Sequence, residues 1–144
     1  MKNIFFVLLL VICASCTKTT SPEKALKEFV DYRFSIVQTK DWLLAKTVGP
    51  FNQRIAEMGP ESFAQFIDTK PFKKRRFSIL SNRCTDVDCF VTYILVYDNF
   101  RDSILTATTE VKKVAQVRLV DGEWRIFDIS NVKTYLDMKE PIVP

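Results

Sequence analysis

Leu105-Thr106-Ala107-Thr108-Thr109-Glu110-Val111-Lys112-Lys113-Val114-Ala115-Gln116-Val117-Arg118-Leu119-Val120-Asp121-Gly122-Glu123-Trp124-Arg125-Ile126-Phe127-Asp128-Ile129 is the stretch whose reading decides the fold. Leu105, Ala107, Val111, Ala115, Val117 and Leu119 share one parity, while Thr106, Thr108, Glu110, Lys112, Gln116 and Arg118 share the other. Successive side chains of a strand point to opposite faces, so this alternation predicts a long strand with one face buried and one in solvent. Lys113 and Val114 interrupt the phase, which predicts a bulge there. Asp121-Gly122 is a strong two-residue hairpin signal, because a tight turn that matches strand twist needs positive φ at both central positions. Glu123 to Ile129 then returns as the partner strand.

Working outward, Asp98-Asn99-Phe100-Arg101-Asp102 reads as a turn. Cys89 to Tyr97 before it is β-branched and aromatic on both faces, the pattern of a central strand. Phe77 to Leu80 is a further strand. Upstream of Lys70-Pro71 the texture is helical. Ser21-Pro22-Glu23 supplies an N-cap, a first-turn proline and an acid at the positive end of the dipole. Leu26, Phe29, Val30, Phe34, Ile36 and Val37 then form an amphipathic stripe, predicting one helix through all of them. Asp41 reads as the cap of a second helix carrying Trp42, Leu43, Leu44, Ala45 and Val48, broken at Gly49-Pro50. A third helical stretch lies between Asn52 and Asp68, interrupted at Gly59-Pro60. Helices followed by a meandering antiparallel sheet predict an α+β domain over residues 21–138, with 139–144 as a C-terminal tail.

Two segments carry a family likeness. Ser21-Pro22-Glu23-Lys24-Ala25-Leu26-Lys27-Glu28-Phe29 followed by Lys40-Asp41-Trp42 resembles the opening of nuclear transport factor 2-like domains. Val120-Asp121-Gly122-Glu123-Trp124-Arg125-Ile126-Phe127-Asp128-Ile129 is similar to their closing hairpin. Within that superfamily the chain most resembles small bacterial lipoproteins of unassigned function. The resemblance implies N-terminal helices packed on a strongly curved antiparallel sheet, a cone with an open mouth. Related hydratases and isomerases work inside that cone, whereas other members bind ligands or proteins, so the fold alone does not assign a function.

The N-terminus bears on address. Met1-Lys2-Asn3, the apolar run Ile4 to Ile12 and Cys13-Ala14-Ser15-Cys16 have the parts of an export signal. The run is short of the roughly 20 apolar residues that span a bilayer. Ala14-Ser15 before Cys16 resembles the lipobox of bacterial lipoproteins, with Cys13 where that motif usually carries Leu. The resemblance implies a signal peptide over 1–15, palmitate or a similar acyl group on Cys16, and a tether over 16–20. Plain secretion cuts at the same place. Lipidation also resolves the odd thiol that Cys16, Cys84 and Cys89 would otherwise leave in an oxidising compartment. The expected location is the bacterial cell envelope, outer membrane or periplasm-facing.

Composition narrows the functions. Hydrophobic content of 47% with 12 phenylalanines implies a packed core rather than a disordered tail. A net charge of +4 is too mild to argue for nucleic acid. The absence of histidine removes imidazole base catalysis, Ser-His and Cys-His nucleophiles and most zinc sites. No cofactor, no metal and no assigned catalytic residue are expected.

Several residues remain as candidates. Cys84 and Cys89 flank Thr85-Asp86-Val87-Asp88 and read as a hairpin-neck disulfide in an exported chain. A redox pair or a calcium site on Asp86 and Asp88 are the alternatives, and two carboxylates fall short of the six or more oxygens that calcium takes. Lys73, Lys74, Arg75 and Arg76 read as a solvated edge strand or as a contact with anionic lipid. Tyr32, Arg33, Tyr93, Tyr97 and Trp124 are candidate pocket-lining residues, with Trp124 expected near Phe29 or Arg33. The resulting function is a non-enzymatic, membrane-anchored module that binds an envelope protein, a small apolar ligand or a second copy of itself. The alternative is a small isomerase, dehydratase or hydrolase using Tyr32, Tyr93, Tyr97, Asp98 and Asp128.

Overall fold

The computed structural model describes residues 21–139. The segments expected to be a signal peptide and a tether, with the expected lipidation site Cys16, and tail residues 140–144 lie outside the described residues. Four helices come first: α1 (Pro22–Arg33), α2 (Lys40–Lys46), α3 (Gly49–Glu57) and α4 (Pro60–Ile67). Four strands follow: β1 (Phe72–Cys84), β2 (Asp88–Arg101), β3 (Ile104–Val120) and β4 (Glu123–Met138). They pair antiparallel in one open sheet of order β1-β2-β3-β4, which holds about half of the described residues.

This corrects the expected fold class. The strongly curved, cone-forming sheet of nuclear transport factor 2-like domains is not formed. The sheet is a plain sequential meander with β1 and β4 as its edge strands, and the outer side of β4 is met only by a short parallel bridge from Thr47 to Ile126 among the described residues. Among the described residues no long helix is cradled by it, since the longest of them, α1, has only 12 residues. The physical reason is that the stripe stops early. Phe34 caps α1, the Ser35 hydroxyl donates to the carbonyls of Tyr32 and Val37, and the Gln38 amide donates to the Arg33 carbonyl at 3.1 Å. These bonds take up the helix-terminal carbonyls and turn the chain. Ile36 and Val37, expected on the buried stripe, are therefore exposed, Ile36 fully so.

Local chemistry explains the remaining boundaries. Ser21 Oγ accepts from Lys24 N at 3.2 Å at the start of α1. The cap of α2 is Thr39, whose Oγ1 accepts from Trp42 N at 3.3 Å, rather than Asp41. The stretch expected between Asn52 and Asp68 is two helices, and it begins earlier, because Gly49-Pro50 opens α3 rather than only closing α2. The expected turn at Asp98–Asp102 is strand almost to its end. The reversal is Asp102-Ser103, both at positive φ, like Asp121 and Gly122 in the next hairpin.

The sheet's inner face carries the odd-numbered residues of β2 and β3. Cys89, Val91, Tyr93 and Leu95 stand beside Val111, Ala115 and Val117, all buried. Leu26, Phe29 and Val30 of α1 pack on that face, and Leu43, Ile55 and Ile126 extend the same cluster. Polar pins orient α1: Asn82 donates to Glu23, and Lys74 pairs with Asp31, so the helix runs counter to β1. The expected bulge at Lys113 and Val114 is absent from the β2–β3 pairing, which keeps one register from Asp88↔Arg118 to Asn99↔Ala107. The shift lies instead between β3 and β4, where Lys112 faces Lys133 and Lys113 faces Asn131. Lys113 thus keeps the inward parity.

Gly49 is the tightest joint between helices and sheet. Its φ is +66°, and a β-carbon there would sit 2.4 Å from the Phe127 ring. Gly49→Ala should therefore cost about 2–4 kcal/mol in urea unfolding, from left-handed strain plus overpacking. Gly59→Ala, with open space around it, should cost less than about 1 kcal/mol. Equal losses for the two variants would show that the Phe127 contact does not constrain the fold.

Candidate functional site

A cavity of about 480 Å³ lies between the helices and the inner face of the sheet. α1 contributes Phe29, Val30, Arg33 and Phe34, α3 contributes Phe51, and Gln65 and Phe66 of α4 with Asp68 and Thr69 form the mouth. The floor is Phe72 of β1, Tyr93, Leu95 and Tyr97 of β2, Lys113 of β3 and Ile129 of β4. Odd-parity residues on β2 and β3 meet there because both strands keep one register. The walls are mainly aromatic: Phe34 and Phe72 both approach the Tyr97 ring, at 6.0 and 5.5 Å between centroids.

Two cations face this apolar space. Arg33 Nη2 donates to the Phe66 carbonyl at 2.6 Å, Nη1 donates to Gln38 Oε1, and the guanidinium lies 4.1 Å from the centre of the Phe66 ring. All three partners are neutral. Gln38 is itself buried and donates to the Ile67 carbonyl at 3.1 Å, so Arg33 and Gln38 together lace the end of α1 to the end of α4. Burial pulls the Arg33 pKa down to about 10. Lys113 has no hydrogen-bond or ion-pair partner among the described residues, and burial, followed by the nearby Arg33 charge, lowers its pKa. Burial pushes the Tyr93 phenol up.

The residues singled out from sequence fall in different places. Arg33, Tyr93 and Tyr97 line the cavity. Tyr32 does not: its hydroxyl accepts from Thr39 N at 2.7 Å and its ring stacks on Trp42 at 3.7 Å. Trp124 packs against the core from the β3–β4 hairpin and does not line the cavity, and the tryptophan beside Phe29 is Trp42, at 6.4 Å. The cationic run is mostly neutralised. Lys74 pairs with Asp31, Arg75 lies 3.5 Å from Asp98, and Arg76 lies 3.2 Å from Glu110. Lys73 is exposed on the same strand.

Cys84 and Cys89 face each other across β1 and β2 and are joined by a disulfide. Asp88, considered for calcium, instead accepts from Arg118 at 2.8 Å and from Gln116 at 3.2 Å. No cluster of potential metal ligands occurs among the described residues. The Tyr/Asp set does not converge. Tyr93 and Tyr97 face the cavity, Asp98 lies on the opposite face of β2 bonded to Thr108, and Asp128 pairs with Arg54 at 2.8 Å. Lys113 was not flagged by sequence reasoning, although it shares parity with Val111, Ala115 and Val117.

Neither a protein-family model nor a curated protein matches the sequence. Among solved structures, the fold is similar to the solution structure of a SEC-C motif containing protein from Rhodopseudomonas palustris. The identity is 15%, the match covers 80% of this chain and 81% of that one, and the TM-score is 0.55. This likeness shows fold alone, and it overturns the expected membership among nuclear transport factor 2-like lipoproteins. The Ser-Pro-Glu opening and the Asp-Gly-x-Trp hairpin are a helix cap and a tight turn, local devices that do not encode how distant strands are arranged.

Lys113 makes a pH-dependent prediction. At any pH below its folded pKa it is protonated both folded and unfolded, and the whole cost of placing an unpaired charge there is present. That cost is relieved as pH rises through its depressed folded pKa toward the ordinary 10.5. The groups facing it are Arg33, Tyr93, Tyr97 and, at the rim, Asp68. Lys113→Met should unfold at a higher urea midpoint than the parent at pH 7, and its advantage should shrink across the window below 10.5. An advantage that is absent at neutral pH, or independent of pH, would mean that the charge carries no penalty.

Proposed function

We propose that this chain is a non-enzymatic binding module of the bacterial cell envelope, held at a membrane through Cys16, whose cavity takes a small apolar ligand. The observation that carries this reading is the cavity itself. Its volume of about 480 Å³ falls in the range of small-molecule sites, which are mostly apolar with a few convergent polar groups. Its aromatic walls leave exposed apolar surface that a ligand would cover. The carboxylates of the enzymatic alternative do not join Tyr93 and Tyr97 there: Asp98 bonds Thr108 on the opposite face of β2, Asp128 pairs with Arg54, and the carboxylate that lines the cavity, Asp68, is exposed at the mouth. The export-type start and the Ala14-Ser15-Cys16 sequence support the address. No helix among the described residues is long and apolar enough to cross a membrane, so tethering in this proposal rests on the acylated cysteine.

The binding reading is tested by native mass spectrometry of the mature protein and by titration with the neutral dye Nile red. Parent protein should carry a bound small molecule or take up the dye at a single site. Ile129→Trp, which places an indole in the cavity, should remain folded and lose that uptake by about tenfold or more. A parent protein that binds neither, or a variant that binds equally, would sink the reading. For the address, the parent should incorporate a fatty-acid analogue and partition into detergent, and Cys16→Ser should be unlabelled and soluble. Equal labelling of that variant would remove Cys16 as the anchor.

A further inference from the structure

We propose that the ligand of the cavity is an amphipathic monocarboxylate, its head group held between Lys113 and Arg33 and its apolar body among Phe29, Phe51 and Phe66. This rests on the binding reading above and deepens it. The argument is one of charge balance. Lys113 and Arg33 both line a largely apolar cavity, where an uncompensated charge is expensive. Ordinarily a carboxylate from the protein would neutralise such a pair, but none is bonded to either. Asp31, two residues before Arg33, is occupied by Lys27 and Lys74. Asp68 is exposed at the mouth, where its carboxylate accepts from Lys70 N at 3.3 Å. The bonds that Arg33 does make, to Gln38 Oε1 and the Phe66 carbonyl, hold it in place without cancelling its charge.

The two cations also divide the work. Arg33 is fixed by its bonds and by the Phe66 ring, so it presents the rest of its guanidinium as a rigid donor edge. Lys113 has no partner among the described residues and a flexible stem that can follow a head group. One carboxylate there would offset both the burial of the Lys113 charge and the nearby Arg33 charge, the two causes, in that order, that lower the Lys113 pKa. A phosphate dianion fits less well than a carboxylate: beyond the two cations the lining offers only neutral donors, the Tyr93 and Tyr97 hydroxyls, Gln65 and Thr69, and the Asp68 carboxylate at the mouth opposes a second negative charge. The apolar walls then select a hydrocarbon or aromatic body over a small inorganic anion.

Isothermal titration of the delipidated protein with dodecanoate, dodecanol and dodecyl phosphate separates these ideas. Dodecanoate should bind at least about tenfold tighter than dodecanol, the margin expected of one charge-assisted hydrogen bond. Lys113→Met should lose that margin while still binding dodecanol, and Lys113→Arg should retain it. Circular dichroism verifies that the variants are folded, and the comparison of the acid with the alcohol needs only the parent protein. Equal binding of dodecanoate and dodecanol, both blocked by Ile129→Trp, would overturn the carboxylate assignment and leave the cavity reading standing. Dodecyl phosphate binding tenfold tighter than dodecanoate would overturn it in favour of a phosphate head. Failure of all three to bind would overturn the cavity reading as well.

Discussion

The docking of α1 on the odd-numbered face of β2 and β3 is the contact from which the rest of the molecule follows. Leu26, Phe29 and Val30 are almost wholly buried there, and each such burial is worth about 1.5–3 kcal/mol. An open four-stranded sheet has two edges and two faces in need of cover; Thr47 and Val48 meet the β4 edge at Ile126, and α1 with α3 is what converts one face into a core. The polar pins to β1, Lys74 to Asp31 and Asn82 to Glu23, add little energy beside that burial because they remain in reach of solvent. Their contribution is direction. They fix which way the helix lies, and so which end of it overhangs the sheet.

That overhanging end creates the cavity. α1 stops at Arg33, and the chain must then cross to α2 without continuing over the sheet. Arg33 and Gln38 make the crossing rigid by bonding the ends of α1 and α4 to one another. Four short helices cannot tile the inner face as one long helix would. The space they leave is walled by Phe34, Phe51 and Phe66 rather than filled by them. The same shortfall leaves the far half of β4 bare, with Val132, Leu136 and Met138 exposed.

Local signals were legible in the sequence and long-range ones were not. The Ser21 cap, the Asp121-Gly122 turn, the β2 strand and the Cys84–Cys89 neighbourhood each depend on residues a few positions apart, and each stands close to where its pattern put it. The cone failed because curvature and closure depend on how far a helix reaches over a sheet, which no short motif carries. Ile36 and Val37 show the difference. Their spacing continued the stripe of α1, but the hydroxyl of Ser35 and the amide of Gln38 compete for the same carbonyls and end the helix. Periodicity counts apolar residues and takes no account of such competitors. Strand lengths exceed the apolar runs for a related reason: β1 joins the Lys73–Arg76 edge segment to the Phe77–Leu80 run and continues to Cys84, because β2 beside it pairs along its whole length.

Lys113 shows what a break in a pattern can mean. A lysine on the apolar parity of a strand admits two explanations. Either the strand slips by one residue and returns the charge to solvent, or it holds its register and the charge points inward. Sequence favours the first, since a one-residue slip moves every later side chain to the other face, and Val114 beside Lys113 looks like the residue that takes its place. Pairing decides otherwise. β2 is apolar on its inner face from Cys89 to Leu95, and a slip in β3 would face those residues with Lys112, Gln116 and Arg118. Burying three polar side chains costs more than burying one, so β3 keeps register and Lys113 turns inward. The irregularity passes to the β3–β4 pairing, where the exposed strand beyond Ser130 has little buried surface to lose. The cation in the cavity is thus a consequence of protecting the core, and the adjoining space gives its charge somewhere other than packed hydrocarbon to lie.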